Sequence, residues 1–174
     1  MYQSLETFRE NHGLQSTPGN VFANITKETI ELRDEVEAGN ELGIVCELCD
    51  HVIYPINILE ALGHDAKSNI DAIQEIDCEL LERTNSANVA VTYIMFALAN
   101  YNLEKDIKAL ALIARIALKT LCVMGYNAEK AVLEKCKTIN SREGSYNTQT
   151  DKWEKLITQD KSTLYKPDYL SCRK

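Results

Sequence analysis

The sequence predicts an all-α fold: a helical bundle whose four-helix core is built from a degenerate tandem repeat. Three observations point there. The 174 residues contain only 7 Gly and 3 Pro against 45% apolar and 26% charged residues, a balance that favours long helices. Apolar residues recur at three- and four-residue spacings along most of the chain. Finally, Leu62-Gly63-His64-Asp65-Ala66-Lys67 lines up with Met124-Gly125-Tyr126-Asn127-Ala128-Glu129 at an offset of 62, which also lays Asn40 on Asn102 and a helix 41–61 on a helix 103–123. Gly-x-[Asp/Asn]-Ala is also ordinary helix-stop and helix-start chemistry. The shared spacing of whole elements is what argues for duplication, with halves at 22–83 and 88–144 and a C-terminal arm at 145–174, all within one domain.

The elements follow in order. Residues 4–14 read as a short amphipathic helix carrying Leu5 and Phe8, and Thr17-Pro18-Gly19-Asn20 reads as a turn. Phe22, Ile25, Thr29, Leu32 and Val36 form one helical stripe that should stop at Ala38-Gly39-Asn40. Val45, Leu48, Val52, Ile56 and Leu59 mark a second helix over 41–61, in which Pro55 predicts a kink or break. A third helix starts at the N-cap Asp65 and runs to about Arg83. Residues 88–100 form a strongly apolar fourth helix, 104–124 a fifth, and 127–140 a sixth. Beyond Gly144 the periodicity dissolves into a polar arm with Trp153 as its apolar anchor.

Composition also narrows the function. A net charge of -7 argues against a nucleic-acid partner, since backbone binding needs clustered Lys and Arg. The longest apolar stretch, Ile107 to Met124, is broken by Lys108, Arg115 and Lys119, so no membrane insertion is expected. The N-terminus lacks the basic start and apolar stretch of a signal peptide, and a cytoplasmic protein is expected. Six cysteines in a chain with this apolar fraction read as free thiols in a reducing compartment. Cys46, Cys49, Asp50 and His51 resemble half of a zinc site, but no second Cys/His pair of similar spacing completes it.

The carboxylates carry more information. Glu28, Glu31 and Glu35 lie at i, i+3 and i+7 on one helix edge, and Glu47 and Asp50 repeat the i, i+3 spacing on the next. A short loop makes the two helices antiparallel, so the acids can converge. Converging anions repel unless a cation sits among them, and hard oxygen ligands suit Mg²⁺ or Mn²⁺. At the offset of 62 the counterparts of Glu28, Glu31, Glu47 and Asp50 are Ala90, Tyr93, Ala109 and Leu112. One half would then be active and the other structural; a solvated acidic face is the plainer alternative.

Glu28-Thr29-Ile30-Glu31, fifteen intervening residues, then Glu47-Leu48-Cys49-Asp50 resembles the ExxE…ExxD signature of the MazG-like all-α nucleoside triphosphate pyrophosphohydrolases. That superfamily includes dimeric dUTPases and phosphoribosyl-ATP pyrophosphohydrolase. The turn at Leu62-Gly63-His64-Asp65 and the segments around 125–142, 152–153 and 165–169 look like phage-type members. The resemblance implies that Glu28, Glu31, Glu47 and Asp50 hold Mg²⁺, that Glu28 or Glu31 acts as the base, and that a triphosphate is hydrolysed to a nucleoside monophosphate and pyrophosphate. Glu35 is a reserve ligand. Asn140, Arg142 and Lys152 resemble phosphate-contacting positions, and Tyr54, one turn beyond Asp50, is placed either to line a nucleoside pocket or to fill the core. A homodimer is implied by the family. The alternatives are a non-catalytic helical module whose acidic patch binds a partner, and hydrolysis of another phosphate compound such as phosphoribosyl-ATP.

Overall fold

The computed structural model of the chain describes residues 1–12, 18–76, 84–147, 149, 152–156 and 158–174. Its helices are α1 (Tyr2–His12), α2 (Pro18–Glu37), α3 (Glu41–Ala61), α4 (Ala66–Ile76), α5 (Ala87–Glu104), α6 (Ile107–Val123) and α7 (Ala128–Asn140). Four of them close a ring: α2 packs on α3, α3 on α6, α6 on α5, and α5 back on α2. The all-α helical bundle that the sequence predicts is what the chain forms.

Leu32, Val45, Leu48, Val52, Ile56 and Leu59 fill it from one hairpin, and Ile94, Leu110, Ile113, Ile116 and Leu121 from the other. Ala97, Ala114 and Ala117 are fully buried among them, so the second hairpin presents small side chains that let neighbouring backbones approach. Each fully buried Leu or Ile contributes roughly 1.5–3 kcal/mol, and truncating Leu48 to Ala would cost about 2–5 kcal/mol.

Local chemistry sets the boundaries. Gly39, Gly63 and Gly125 all adopt positive φ where helices end, as helix-stop glycines do. Asn40, Asp65 and Asn127 each accept a backbone N–H from the first turn of the following helix. Pro18-Gly19-Asn20, expected with Thr17 as a turn, form the start of α2, and Thr17 lies outside the described residues; proline is favoured there because its missing N–H would have had no intrahelical partner. Asn102 lies inside α5 rather than at a turn, and the turn comes later, with Lys105 in the left-handed conformation and Asp106 as N-cap. The chain also continues as helix through Pro55, so no break occurs there.

Among the described residues the one helix long and apolar enough to cross a membrane by length and composition is α3, not 107–124, and 67% of its apolar window is buried inside the fold. The stretch 77–83, where the third helix was expected to end, lies outside the described residues, as does Cys78. The five described cysteines are free, with Cys49, Cys136 and Cys172 buried, Cys46 partly buried and Cys122 exposed.

The C-terminal segment is more ordered than an extended arm. β1 (Gly144–Asn147) pairs antiparallel with β2 (Lys152–Lys155). The last residues then return to the bundle, where Asn127 N–H donates to the Cys172 carbonyl at 2.8 Å and Lys174 N–H to the Gly125 carbonyl at 2.8 Å. Tyr169 and Cys172 are buried there. Glu134 of α7 clamps this return, accepting from the Tyr165 hydroxyl at 2.6 Å and from the Asp168 N–H at 3.0 Å.

Candidate metal site

The antiparallel α2–α3 hairpin brings the i, i+3 acids of its two helices face to face. Carboxylate oxygens of Glu28, Glu31 and Glu47 lie within 4.8 Å of one another. Glu28 is 9% exposed although it carries a charge-bearing group, and Glu47 Oε2 is buried with no hydrogen-bond partner. Burial, reinforced by Asp50, pushes both Glu28 and Glu47 up to about 7. Lys27 is the neighbouring cation, 2.7 Å from Glu31 Oε1 and 3.5 Å from Glu28 Oε1, and its side chain is 65% exposed.

Asp50 belongs to the same surface but is committed elsewhere. Oxygen and sulfur ligand atoms of Cys46, Glu47 and Asp50 also fall within 4.8 Å, yet this second cluster already contains a cation. Lys135 of α7 donates from Nζ to Asp50 Oδ2 at 2.5 Å and to Cys46 Sγ at 2.9 Å. Burial opposes the ammonium, but Asp50 and Cys46 outweigh it and hold Lys135 above the ordinary lysine value. The donor chemistry therefore separates two groups: a thiol–carboxylate pair neutralised by Lys135, and three carboxylates with one unpartnered buried oxygen. The three fit a hard divalent cation of the Mg²⁺ or Mn²⁺ type.

The floor of the site is braced by a histidine. His51 is 1% exposed, and its Nδ1–H donates to the Glu47 carbonyl at 2.8 Å while Nε2 faces Thr29 Oγ1 at 3.0 Å. With Nδ1 protonated, Nε2 can only accept, so the single Thr29 hydroxyl proton is shared between Nε2 and the Ile25 carbonyl oxygen, which lies 2.7 Å from Thr29 Oγ1. Burial lowers the His51 pKa, which keeps the ring neutral in this arrangement. Thr29 adjoins Glu28 on α2, so the bond fixes the rotation of one ligand-bearing helix against the other. A zinc-like role for His51 and Cys49 is not met: His51 is engaged with Thr29, and Cys49 is fully buried among apolar side chains.

Of the remaining candidates, Tyr54 is close. Burial and then the charges of Glu28 and Asp50 push its hydroxyl up to about 12, and Arg142, half-buried, acts on it in the opposite sense. Asn140 is exposed at the end of α7 and lines a separate open groove with Ser4, Lys130 and Lys137, which none of the four candidate ligands lines. Lys152 sits in β2 opposite Asn147, but its side chain and those of Trp153 and His12 lie outside the described residues. The Glu35 carboxylate lies over Gly43 at the start of α3 and is not one of the three clustered carboxylates. Lys135 was not among the sequence candidates, because a lysine in the run Glu134-Lys135-Cys136-Lys137 reads as solvated charge; its cue was the i, i+4 relation to Ala131 and Ile139 on the buried face of α7.

No family model, curated protein or solved structure matches this chain.

Proposed function

We propose that this chain is a divalent-cation-dependent pyrophosphohydrolase that cleaves a nucleoside triphosphate to the monophosphate and pyrophosphate. The observation that carries the reading is the convergence of Glu28, Glu31 and Glu47 with the unpartnered, buried Glu47 Oε2. Ionising three carboxylates at this separation is costly without a compensating cation, and Glu28, Glu31 and Glu47 would hold Mg²⁺ or Mn²⁺, with Asp50 at the edge of the set. Mg²⁺, when bound, supplies Lewis-acid neutralisation of charge developing on phosphate oxygens.

The chain's own groups account for the rest. A carboxylate beside the metal position can serve as the general base, and Glu28 or Glu31, the two α2 members of the cluster, would take the proton of the attacking water. Tyr54 and Arg142 border the same surface, where Arg142 is suited to an anionic substrate group and the Tyr54 ring to a nucleoside.

Free cysteines fit a reducing, cytoplasmic setting. The outward residues Met95, Phe96 and Leu103 of α5, 58%, 60% and 80% exposed, fit a second copy of the chain as partner, for which sedimentation is the test.

The direct experiment is pyrophosphate release from a panel of canonical and modified NTPs and dNTPs with Mg²⁺ or Mn²⁺, alongside calorimetric titration of the metal alone. Metal binding that disappears in Glu28→Ala and Glu47→Ala, with release of pyrophosphate from at least one nucleotide, supports the reading. Absence of metal binding by the wild type sinks it in favour of a non-catalytic partner-binding module. Metal binding with turnover of phosphoribosyl-ATP alone would redirect the substrate class.

A further inference from the structure

Helix α5 is the one described helix with no charged residue before its last position, in a chain that is 26% charged. One side of it is accounted for, since Ala90, Ile94, Ala97, Leu98 and Tyr101 are buried in the bundle. The opposite side carries Thr92, Phe96, Ala99 and Leu103, all exposed, with Met95 exposed beside them. Their spacing of 4, 3 and 4 residues is that of a seam between two helices packed knobs into holes. A solvated helix face is ordinarily polar or charged, and this one is not. At roughly 200 Å² for a bare large side chain, Met95, Phe96 and Leu103, each more than half exposed, leave on the order of 400 Å² of apolar surface. Side-chain size along the seam runs small, large, small, large, and that order selects what covers it. A second copy running in the same direction would set Phe96 on Phe96 and Ala99 on Ala99, one layer overfilled and the next left with a void. Turned antiparallel about a twofold axis between Phe96 and Ala99, each large residue meets a small one. The absence of charge also means that symmetry creates no like-charge pair. A membrane surface fits less well, because interfacial helices border their apolar face with Lys and Arg, and α5 contains neither.

We propose that α5 forms an antiparallel, twofold-symmetric seam with α5 of a second copy of the chain, Phe96 seating over Ala99 of the other copy and Leu103 over its Thr92. Doubled across the axis, the three large side chains supply on the order of 800 Å², and the exposed rim of Asn88, Asn100 and Asn102 brings the contact to about the 1,000 Å² that a specific interface needs. The contact is isologous, so it closes at two copies and leaves no second apolar face to propagate a chain of molecules. This fixes the orientation and register of the second copy and does not depend on the pyrophosphohydrolase reading.

The test is sedimentation velocity of the full chain over a concentration series, paired with disulfide cross-linking in a Cys122→Ser background that removes the exposed native thiol. The wild type should sediment as a dimer. Phe96→Glu places a carboxylate near its own symmetry mate at the centre of the seam and should weaken the dimer at least about a hundredfold. Because Phe96 is exposed, the circular dichroism of that variant should remain that of the wild type. A mixture of Thr92→Cys and Leu103→Cys chains should form a mixed disulfide under mild oxidation. Thr92→Cys alone should not join to itself, since the two copies of that position lie roughly 16 Å apart in this register. A monomeric wild type, or a dimer that Phe96→Glu leaves intact, overturns the proposal, and the first of these outcomes does not depend on any variant folding. A disulfide between two Thr92→Cys chains overturns the antiparallel register.

Discussion

Lys135 on α7 and Asp50 on α3 are joined at 2.5 Å between Nζ and Oδ2, with 5% and 12% of their side chains exposed. Removing one member of a buried pair leaves the other as an uncompensated charge, which costs far more than the pair contributes net. Lys135→Met is therefore expected to destabilise the fold by about 3–5 kcal/mol. Replacing both residues, as Lys135→Met with Asp50→Leu, should recover most of that loss. Urea unfolding of the two single variants and the double variant measures the coupling; additive effects would mean that the ion pair does not hold α7 to the bundle.

Glu28 and Glu47, both raised to about 7 by burial, predict an unusual pH response. Between the ordinary glutamate value near 4.5 and 7 the folded chain holds protons that the unfolded chain has lost. The stability contribution of these two groups is therefore fully present below about 4.5 and is lost as pH rises through 7. Glu47→Gln, which cannot ionise, should flatten that decline in a thermal-melting series between pH 5 and 8. Adding Mg²⁺ should restore stability at the alkaline end, and removing it with a chelator should return the decline, because a cation replaces the protons as the compensating charge.

These two sites differ in how far the sequence revealed them. The convergence of Glu28, Glu31 and Glu47 was legible because helix geometry converts i, i+3 spacing into one face and a short connection forces the faces together, whereas Asp50, expected with them, is tied to Lys135. Asp65 was legible as a cap and Asn127 as a helix start for the same local reason, whereas Asn40, read as the stop of the helix before it, caps the helix after it. Lys135 was hidden because its partner lies 85 positions away in a different helix, and nothing in the local pattern separates a buried lysine from a solvated one. The return of residues 164–174 to the bundle was hidden too, since it rests on single anchors, Tyr169 and Cys172, and on backbone bonds that carry no side-chain signature. The late turn at Lys105 escaped because a lysine in the left-handed conformation contradicts the glycine preference on which helix-stop reading depends.

Glu134 is expected to control that C-terminal return. Burial pushes its carboxyl up, but bonds from Lys137, Tyr165 and the Asp168 backbone overcome this and hold it below the usual carboxylate range. A depressed carboxylate stabilises above its unfolded value and loses that contribution as pH falls through the folded one. The tail should therefore detach in acid before the bundle melts. Hydrogen exchange of residues 165–174 at descending pH should show it, and Glu134→Ala should give the same exposure at neutral pH with α2, α3, α5 and α6 still protected. Simultaneous loss of tail and bundle protection would place the clamp elsewhere.

The Thr29–His51 contact leads to a prediction that separates metal binding from folding. Thr29→Val preserves shape but removes the hydroxyl, leaving the His51 Nε2 acceptor buried without a partner at a cost of about 1–3 kcal/mol. It also releases the constraint on how α2 rotates against α3, and Glu28 adjoins Thr29 on α2 while the Glu47 carbonyl holds the other end of His51. Metal affinity should then fall by more than the stability loss accounts for, because the ligand oxygens are no longer fixed at their present separation. Thr29→Ser, which restores the hydroxyl, should recover affinity while keeping the small packing deficit of a missing methyl. Calorimetric titration with Mn²⁺ on both variants, at a temperature where each is fully folded, distinguishes the outcomes. Equal affinities for Thr29→Val and Thr29→Ser would show that the histidine braces the fold and not the carboxylates.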